Sequence, residues 1–391
     1  MDKTRRSVGL LSACQAMLMA NNSTLIAVNG LAGLALAPLP SLATLPVTCW
    51  VVGGALATVP ASHYMRRVGR QPGLVRGAAI GIAGALLCAA AVWQASFWLL
   101  CFGALVYGLF NAFGQYYRFV AAEVAAPESR ASAVSVVLAG GLVGGILGPT
   151  VSRQTVDLVG PRYTGAYLAL IGFVLLTLAI LSRLRVPDLG AAAQAQAGRP
   201  LAQIARQPKY VVAVMSSALG YGVMNFLMTS TPLAMRACGH PYGDATFVIS
   251  SHVVAMFAPS FFTGGLIKRF GPVPVMLAGA ALNVGSIAMA LAGAEVSHFW
   301  WALVLLGVGW NFLYIGGTTL LTETYRPEER ARAQGANELA IFAMMALSSL
   351  SSGMIVTNAG WQKVNYAAAP LVVVIIAGLM LLLFKFGKSS R

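Results

Sequence analysis

Four side chains in the second half of the sequence have the types and the spacing of a soft-metal site. Met224 and Met228 lie in the stretch GVMNFLMTST, and His252 and Met256 lie in SHVVAMFAPS, both inside long apolar runs. Residues four apart share one face of a helix. Thioether sulfur is a soft ligand that selects Cu(I), and imidazole also binds copper well. The pattern therefore predicts a copper site built by two neighbouring helices.

The same residues also have simpler interpretations. The chain has 15 Met, so one pair at four-residue spacing is expected by chance, and Met224 with Met228 alone would be apolar packing. His252 differs, because an ionisable residue deep in an apolar run indicates a functional site. A hydrogen-bonded structural histidine and a proton-relay group both stay open as its role.

Two cysteines extend the predicted site. At about 1.5 Å per residue from the predicted outer helix ends, Met228, His252 and Cys49 lie at similar depth. Cys49 would supply a thiolate or a transient ligand, and Cys238, at the outer mouth, would capture the ion first. The chain has five cysteines, most of them inside apolar runs, so no disulfide framework is predicted.

The elements that must position these residues are membrane helices. The chain has 391 residues, 58% hydrophobic and 9% charged, against about 25% charged for a soluble domain. Spans need about 20 mostly apolar residues, and the first is too long for a cleaved signal peptide. The apolar runs predict twelve spans, at 7–34, 40–65, 74–92, 97–122, 131–155, 163–183, 209–235, 243–268, 273–293, 297–322, 331–357 and 362–384.

The formal charge of +15 follows from membrane topology. With the N-terminus in the cytoplasm, all basic residues except Arg153, Arg162, Arg236 and Lys363 fall on the cytoplasmic side. This bias predicts that both termini are cytoplasmic. The excess of basic over acidic residues is therefore explained by topology and does not require nucleic-acid binding.

The chain contains an internal repeat. The segment from Leu105 aligns with the segment from Leu305 at an offset of two hundred residues, pairing Asn111 with Asn311 and Glu123 with Glu323. A basic loop, RRVGR or KRFGP, follows the second span of each half. Repeated halves are typical of transporters. We expect an N-terminal half at 1–185, a cytoplasmic linker at 186–207, and a C-terminal half at 208–391.

Together these features resemble the major facilitator superfamily over essentially the whole chain, including GGLVGGILGP in the fifth span. The resemblance implies a solute site near the bilayer midplane, between halves that open alternately. It also implies gating ion pairs, for which Arg67 with Glu123 and Arg269 with Glu323 are available. The usual Asp before the Arg of the first basic loop is replaced by Arg66.

The paired M-x-x-x-M and H-x-x-x-M further resemble the CcoA-type copper importers of bacterial inner membranes. This resemblance implies Met224, Met228, His252 and Met256 as ligands, with Cys49 and Cys238 at that family's membrane cysteine positions. The hypothesis is a secondary importer of copper, as Cu(I), that holds no permanent cofactor. Periplasmic and cytoplasmic copper carriers would be its partners.

Other polar groups keep further hypotheses open. Glu338 would couple transport to protons or pair with an arginine such as Arg118. Aromatic and polar walls are predicted near the inner end of the fourth span and within the tenth span. Their residues are Gln115, Tyr116, Tyr117, Arg118, Trp310, Asn311 and Tyr314.

These walls suit an organic-solute carrier, such as a drug exporter or an importer of a vitamin such as riboflavin, and that is the first alternative to copper import. A copper-binding sensor or chaperone platform is the second. No nucleotide-binding loop or catalytic triad pattern supports an enzyme.

Overall fold

The computed structural model describes residues 3–125, 130–184, 186, 199–326 and 329–386. Within these ranges the chain forms helices and their connections, with no β-strand. The prediction of an all-α membrane protein is confirmed. In a bilayer this outcome has a simple cause, because a helix satisfies its own backbone hydrogen bonds where no water is available.

The first half of the chain folds into α1 to α7. α1 is Lys3–Leu36, followed by a 3-10 turn at Pro40–Leu42. The next helices are α2 (Leu45–Val68), α3 (Arg70–Trp93), α4 (Phe97–Gly114), α5 (Tyr117–Val124), α6 (Arg130–Thr155) and α7 (Thr164–Leu181). The predicted fourth span thus consists of α4 and α5, interrupted at Gln115 and Tyr116.

The second half folds into α8 to α14. These are α8 (Leu201–Ile204), α9 (Pro208–Ala237), α10 (Tyr242–Phe257), α11 (Ser260–Phe270), α12 (Pro272–Ala292), α13 (Val296–Thr322) and α14 (Arg330–Phe386). The predicted eighth span is broken between α10 and α11 with a bend of about 40°. The predicted last two spans form the single helix α14, which Gly360 interrupts with a positive φ of 78°.

Helix length and hydropathy support the membrane assignment. Nine helices in the described ranges are long and apolar enough to cross a membrane, or ten if α10 and α11 count as one span. α14 counts as one of these helices although it covers two predicted spans. α1 is not among the helices that meet this criterion. Each of the twelve predicted spans therefore corresponds to a helix, a helix pair or one arm of α14.

The chain divides into two compact units. Unit 1 comprises residues 1–192 and 239–254, and unit 2 comprises 193–238 and 255–391. Residues 242–254 of α10 thus belong to unit 1, together with the first half of the chain. The predicted domain boundaries stay a prediction, and residues 187–198 of the predicted linker lie outside the described residues.

Unit 1 is held together by close helix crossings at glycines. A Cβ on Gly140, Gly144 or Gly148 of α6 would overlap a backbone carbonyl oxygen of α1. α2 and α4 cross in the same way, since a Cβ on Gly53 would overlap the Leu105 carbonyl oxygen. Small residues let membrane helices approach until their backbones touch.

Unit 2 relies more on side chains. α9 packs against α13 and α14. The Asn225 amide of α9 donates hydrogen bonds to the Ser348 hydroxyl at 2.8 Å and to the Met345 carbonyl at 3.0 Å. A Cβ on Gly222 would meet the Met344 methyl at 2.9 Å. The same contact therefore combines an interhelical hydrogen bond with one glycine.

An ion pair fastens the chain that enters α8. The guanidinium and the backbone N–H of Arg199 donate to the Glu329 carboxylate, with the shortest contact 2.6 Å. The Arg326 backbone N–H donates to the same carboxylate at 2.9 Å. The Arg199 hydrogen bonds lower the pKa of the buried Glu329 from 4.5 to about 2. Glu329 is therefore ionised at any physiological pH.

Candidate functional site

A cluster of aromatic rings is the main candidate site in unit 2. Trp310 and Tyr314 lie four residues apart on α13, and their rings stack with centroids 5.0 Å apart and planes 9° apart. Tyr221 of α9 meets both edge-on, at 5.1 Å from Trp310 and 5.4 Å from Tyr314. Phe257, at the end of α10, contacts Trp310 at 5.9 Å. We call these four residues the aromatic cluster.

Burial within the aromatic cluster is uneven. Trp310 is 3% exposed, whereas Tyr221, Tyr314 and Phe257 are half-buried. The Trp310 indole N–H is buried and donates to none of the described residues. A buried donor without an acceptor is costly. The cluster therefore offers accessible ring surface for stacking on Tyr221, Tyr314 and Phe257.

Asn311, next to Trp310, stabilises the break between α10 and α11. Pro259 has no N–H, so the helix loses a backbone hydrogen bond there. The Asn311 amide donates to the Met256 carbonyl and to the Ser260 hydroxyl, each at 2.7 Å. Its oxygen accepts from the Thr263 hydroxyl at 2.7 Å. The side chain is 1% exposed. Asn311 is thus committed to the fold.

Asn111, the repeat equivalent of Asn311, has a different environment in unit 1. Its oxygen accepts a 3.1 Å hydrogen bond from the Asn22 amide of α1. Asn22 is 7% exposed, and its own oxygen is buried without a donor among the described residues. Asn111 is half-buried. The Asn22–Asn111 pair is therefore a polar group within apolar helices with incomplete hydrogen bonding.

The other predicted wall residues of unit 1 are distributed between accessible and buried positions. The Tyr116 hydroxyl donates to the Thr58 carbonyl at 2.9 Å, and the Arg118 guanidinium lies 4.9 Å from the Phe119 ring centroid. Gln115 is half-buried. Tyr117 is only 1% exposed and belongs to the core. The structure therefore leaves fewer accessible wall residues in unit 1 than the sequence predicts, because Tyr117 is buried.

The residues of the predicted metal site are mostly buried. Met224 and Met228 of α9 are 2% and 4% exposed. His252 and Met256 lie one turn apart on α10 and are buried as well. Cys49 is half-buried in α2, and Cys238 is exposed at the end of α9. No group of three His, Cys, Asp or Glu side chains comes together among the residues that the structure describes.

The predicted gating residues have other neighbours. Glu323 pairs with Lys209 at 3.2 Å and not with Arg269, which lies 5.1 Å from the Phe270 ring centroid. Arg67 is exposed, and the Glu123 side chain lies outside the described residues. Glu338 is half-buried near the start of α14. The gating and coupling roles of these residues stay predictions.

Two members of the aromatic cluster are absent from the residues predicted by sequence. Tyr221 directly precedes the stretch that begins at Gly222, and Phe257 directly follows Met256. The sequence does contain a signal for Tyr221, which lies three residues before Met224. Trp310 likewise lies four residues before Tyr314. Residues three or four apart share a helix face. Tyr221 therefore shares a face of α9 with Met224.

Known proteins resemble this chain in both sequence and fold. The sequence profile of the Major Facilitator Superfamily matches residues 11–259 and 212–390. The riboflavin transporter RfnT of Brucella anthropi is 38% identical over 390 residues, which cover 99% of this chain and 98% of that one. The uncharacterized transporter YddS of Bacillus subtilis is 30% identical over 86% of this chain and 81% of its own.

Solved structures share the fold. A bacterial homologue of the human lysosomal transporter Spinster, in an inward-facing and unoccupied conformation, has a TM-score of 0.74 at 14% identity, covering 99% of this chain and 98% of its own. A D-xylose-proton symporter has a TM-score of 0.78 at 16% identity, covering 96% of both chains. These matches confirm the predicted fold class.

The prediction of copper import is wrong. The relative that matches over nearly the full length is a riboflavin transporter and not a copper importer. The physical reason lies in the ambiguity of methionine, which fills apolar cores as readily as it binds soft metals. Met224 and Met228 are buried, and their role as metal ligands stays a prediction that no observation tests.

Proposed function

The chain belongs to the major facilitator superfamily, and from this premise we propose that it imports a flat aromatic organic solute, with riboflavin as the first candidate. The proposal rests above all on the 38% identity to a riboflavin transporter over 99% of the chain. Transport would proceed by alternating access across a bacterial cytoplasmic membrane. The organic-solute alternative to copper thus becomes the leading hypothesis.

The aromatic cluster supports this proposal chemically. The ring system of riboflavin is planar, carries heteroatoms at its edge and has a flexible hydroxylated chain. Stacked or edge-on aromatic pairs contribute about 0.5–1.5 kcal/mol beyond the area that they bury. The half-buried rings of Tyr221 and Tyr314 offer such contacts.

The stacking in the aromatic cluster also organises the site before the solute arrives. Trp310 and Tyr314 hold each other parallel, and Tyr221 closes on both from α9. Ring orientation is therefore set by contacts inside unit 2. A site ordered in advance loses less conformational entropy on binding, so a weakly polar solute can be held without a charged residue.

The test is riboflavin uptake by a bacterial strain that cannot synthesise the vitamin. Cells producing the wild type should accumulate labelled riboflavin, and Trp310→Ala should raise the half-saturating concentration about tenfold, equivalent to about 1.4 kcal/mol. Trp310→Phe, which keeps a ring, should lose less. Trp301→Ala is the matched control, because Trp301 lies on the same helix and is 48% exposed.

Membrane levels of each variant have to be equalised by quantitative blotting. The absence of both uptake and efflux of riboflavin in wild-type cells that contain the protein in the membrane would refute the proposal. Efflux of preloaded riboflavin without uptake would keep the solute class and reverse the direction. Equal kinetics for Trp310→Ala and Trp301→Ala would leave riboflavin as the solute and remove the aromatic cluster from the site.

A further inference from the structure

Two cysteines of unit 1 lie against each other where α2 meets α4. A hydrogen bond joins the Cys49 and Cys101 thiols. Both cysteines are free, and both belong to unit 1. The proposed function uses neither of them. We call these two residues the thiol pair.

The crossing of α2 and α4 holds the thiol pair together. The helices touch through their backbones where Gly53 lies against the Leu105 carbonyl oxygen. Cys49 precedes Gly53 by four residues, and Cys101 precedes Leu105 by four. Four residues make about one helical turn, so the two contacts have the same register. A disulfide needs Cα atoms within about 7 Å of each other, and a backbone contact one turn away favours such a separation.

The thiol pair lies near the same end of both helices. Cys49 is the fifth residue of α2 counted from Leu45, and Cys101 is the fifth residue of α4 counted from Phe97. At about 1.5 Å per residue, each lies about 6 Å from the start of its helix. The charge bias predicts that these helix starts face away from the cytoplasm. Cys49 is half-buried and Cys101 is 5% exposed, so a reagent from outside reaches Cys49 first.

Two other membrane cysteines show what simple packing gives. Cys14 of α1 and Cys88 of α3 are each 0% exposed. A buried free cysteine acts as a small apolar residue. The thiol pair differs from them because Cys49 combines a neighbouring thiol with access from outside. Access and a nearby second thiol are what thiol–disulfide exchange requires.

We infer that the thiol pair is a redox-active dithiol that closes into a disulfide between α2 and α4. The oxidant is a disulfide compound on the outer side of the membrane, where disulfides persist. Cys49 loses its proton to water, and its thiolate attacks one sulfur of the oxidant and expels the other as a thiolate. The Cys101 thiolate then attacks Cys49 Sγ and expels the second thiolate.

The exchange is balanced and local. Each expelled thiolate takes up a proton, so two protein thiols are oxidised while one disulfide is reduced to two thiols. The new bond fastens a helix contact that is already formed inside unit 1. The inference therefore does not depend on which solute the protein carries.

The experiment treats the purified full-length protein in detergent with oxidised glutathione. Cys238→Ser serves as the background, because the exposed Cys238 would form mixed disulfides of its own. Remaining thiols are blocked with N-ethylmaleimide under denaturing conditions, and disulfides are then reduced and labelled with a maleimide polymer. We expect two labels on each chain. Digestion before reduction should yield a peptide pair linked through Cys49 and Cys101, identified by mass spectrometry.

Single substitutions in the same background separate the two thiols. Cys49→Ser should abolish the labelling, because the accessible thiol is lost. Cys101→Ser should leave one label, since Cys49 would stop at the mixed disulfide with glutathione. Cys88→Ser is the matched control from a neighbouring helix, where the cysteine is buried, and it should keep both labels.

A glutathione adduct on Cys49 without the linked peptides, in protein that keeps Cys101, would overturn the inference. A bond between Cys101 and Cys88, or no oxidation of the membrane cysteines, would overturn it as well. The peptide analysis needs only the Cys238→Ser background, so it decides the question even if Cys49→Ser or Cys101→Ser fails to fold. None of these outcomes bears on the proposed function, which riboflavin uptake tests separately.

Discussion

The two halves of the chain build one helix contact by different means. In unit 1, Gly140, Gly144 and Gly148 of α6 lie against α1, so closely that any Cβ would overlap a carbonyl oxygen. At the repeat offset, Gly144 corresponds to Met344 and Gly148 to Ser348. There, α14 meets α9 through the hydrogen bonds of Asn225. Backbone contact in one half is thus replaced by side-chain contact in the other.

The two halves of the repeat therefore share the order of their helices, but equivalent helix pairs do not pack through the same kinds of contact. The backbone contact of α1 with α6 tolerates no added atom, because carbonyl groups cannot move aside. The contact of α9 with α14 depends on flexible side chains, which adjust to moderate changes. Sensitivity to mutation should therefore differ between equivalent positions, and the experiments below probe that asymmetry.

The largest effect is expected at the glycines of α6. Gly144→Leu would place side-chain atoms in the space that the Ala16 carbonyl oxygen already fills. We expect destabilisation of about 3 kcal/mol, at the upper end for overpacking. At the equivalent position, Met344→Leu keeps the volume similar and should cost less than about 1.5 kcal/mol. Thermal unfolding of the purified proteins in detergent measures both.

Equal losses at the two positions would remove the proposed asymmetry. A second glycine separates the crossing from a general intolerance of larger residues. Gly285 of α12 lies in ordinary contact, since a Cβ there would lie 3.6 Å from a Leu305 methyl. Gly285→Ala should therefore leave the unfolding temperature nearly unchanged.

An intermediate effect is expected at the paired asparagines. Asn311→Ala loses three hydrogen bonds, which at about 0.6 kcal/mol each in membranes amounts to about 2 kcal/mol. Asn111→Ala loses one, and should cost about 0.6 kcal/mol. Unfolding temperatures of the two variants, measured side by side, should rank in this order. The reverse order would mean that Asn111 carries a structural load that the hydrogen bonds do not reveal.

A third effect, distinguished by its dependence on pH, is expected at Glu329, which has no counterpart carboxylate in the first half, where Ser129 takes its place. The folded state lowers the pKa of Glu329 to about 2 from 4.5. The stabilisation is therefore full above about pH 4.5 and is lost as the pH falls toward 2. Glu329→Gln should unfold at a lower temperature than wild type at pH 7, and this gap should shrink under acid.

The control for Glu329 is Glu323→Gln, since Glu323 pairs with Lys209 at an exposed site. Exposed ion pairs contribute little, so this variant should behave like the wild type at both pH values. A gap between Glu329→Gln and wild type that does not change with pH would show that the effect is steric and not electrostatic.

The helices are predictable because an apolar run of about 20 residues has the length that a helix needs to cross a bilayer. The break at Pro259 was not predicted, since tolerance of a proline depends on a partner such as Asn311 from another helix. Trp310 and Tyr314 were predicted as wall residues from their positions in the tenth span. Their partner Tyr221 depends on the rotation of α9, which sequence periodicity does not report.

The substrate was beyond the reach of residue spacing. Met224 and Met228 satisfy the spacing of a metal site and of a packed core equally well. The full-length relative bears on the substrate and not on the role of these two residues. Likewise, Asn111 and Asn311 align in the repeat, but their roles differ through partners on other helices.

Gly360 has a consequence for anyone who wishes to label this protein. The arms of α14 meet at this one non-helical residue, so no loop separates the last pair of spans. At a φ of 78° a side chain is strained by about 1–2 kcal/mol. An epitope tag or a fluorescent domain inserted there would force the arms apart. A better place for such a handle follows α7, where Ser182 and Arg183 are exposed beyond the end of the helix.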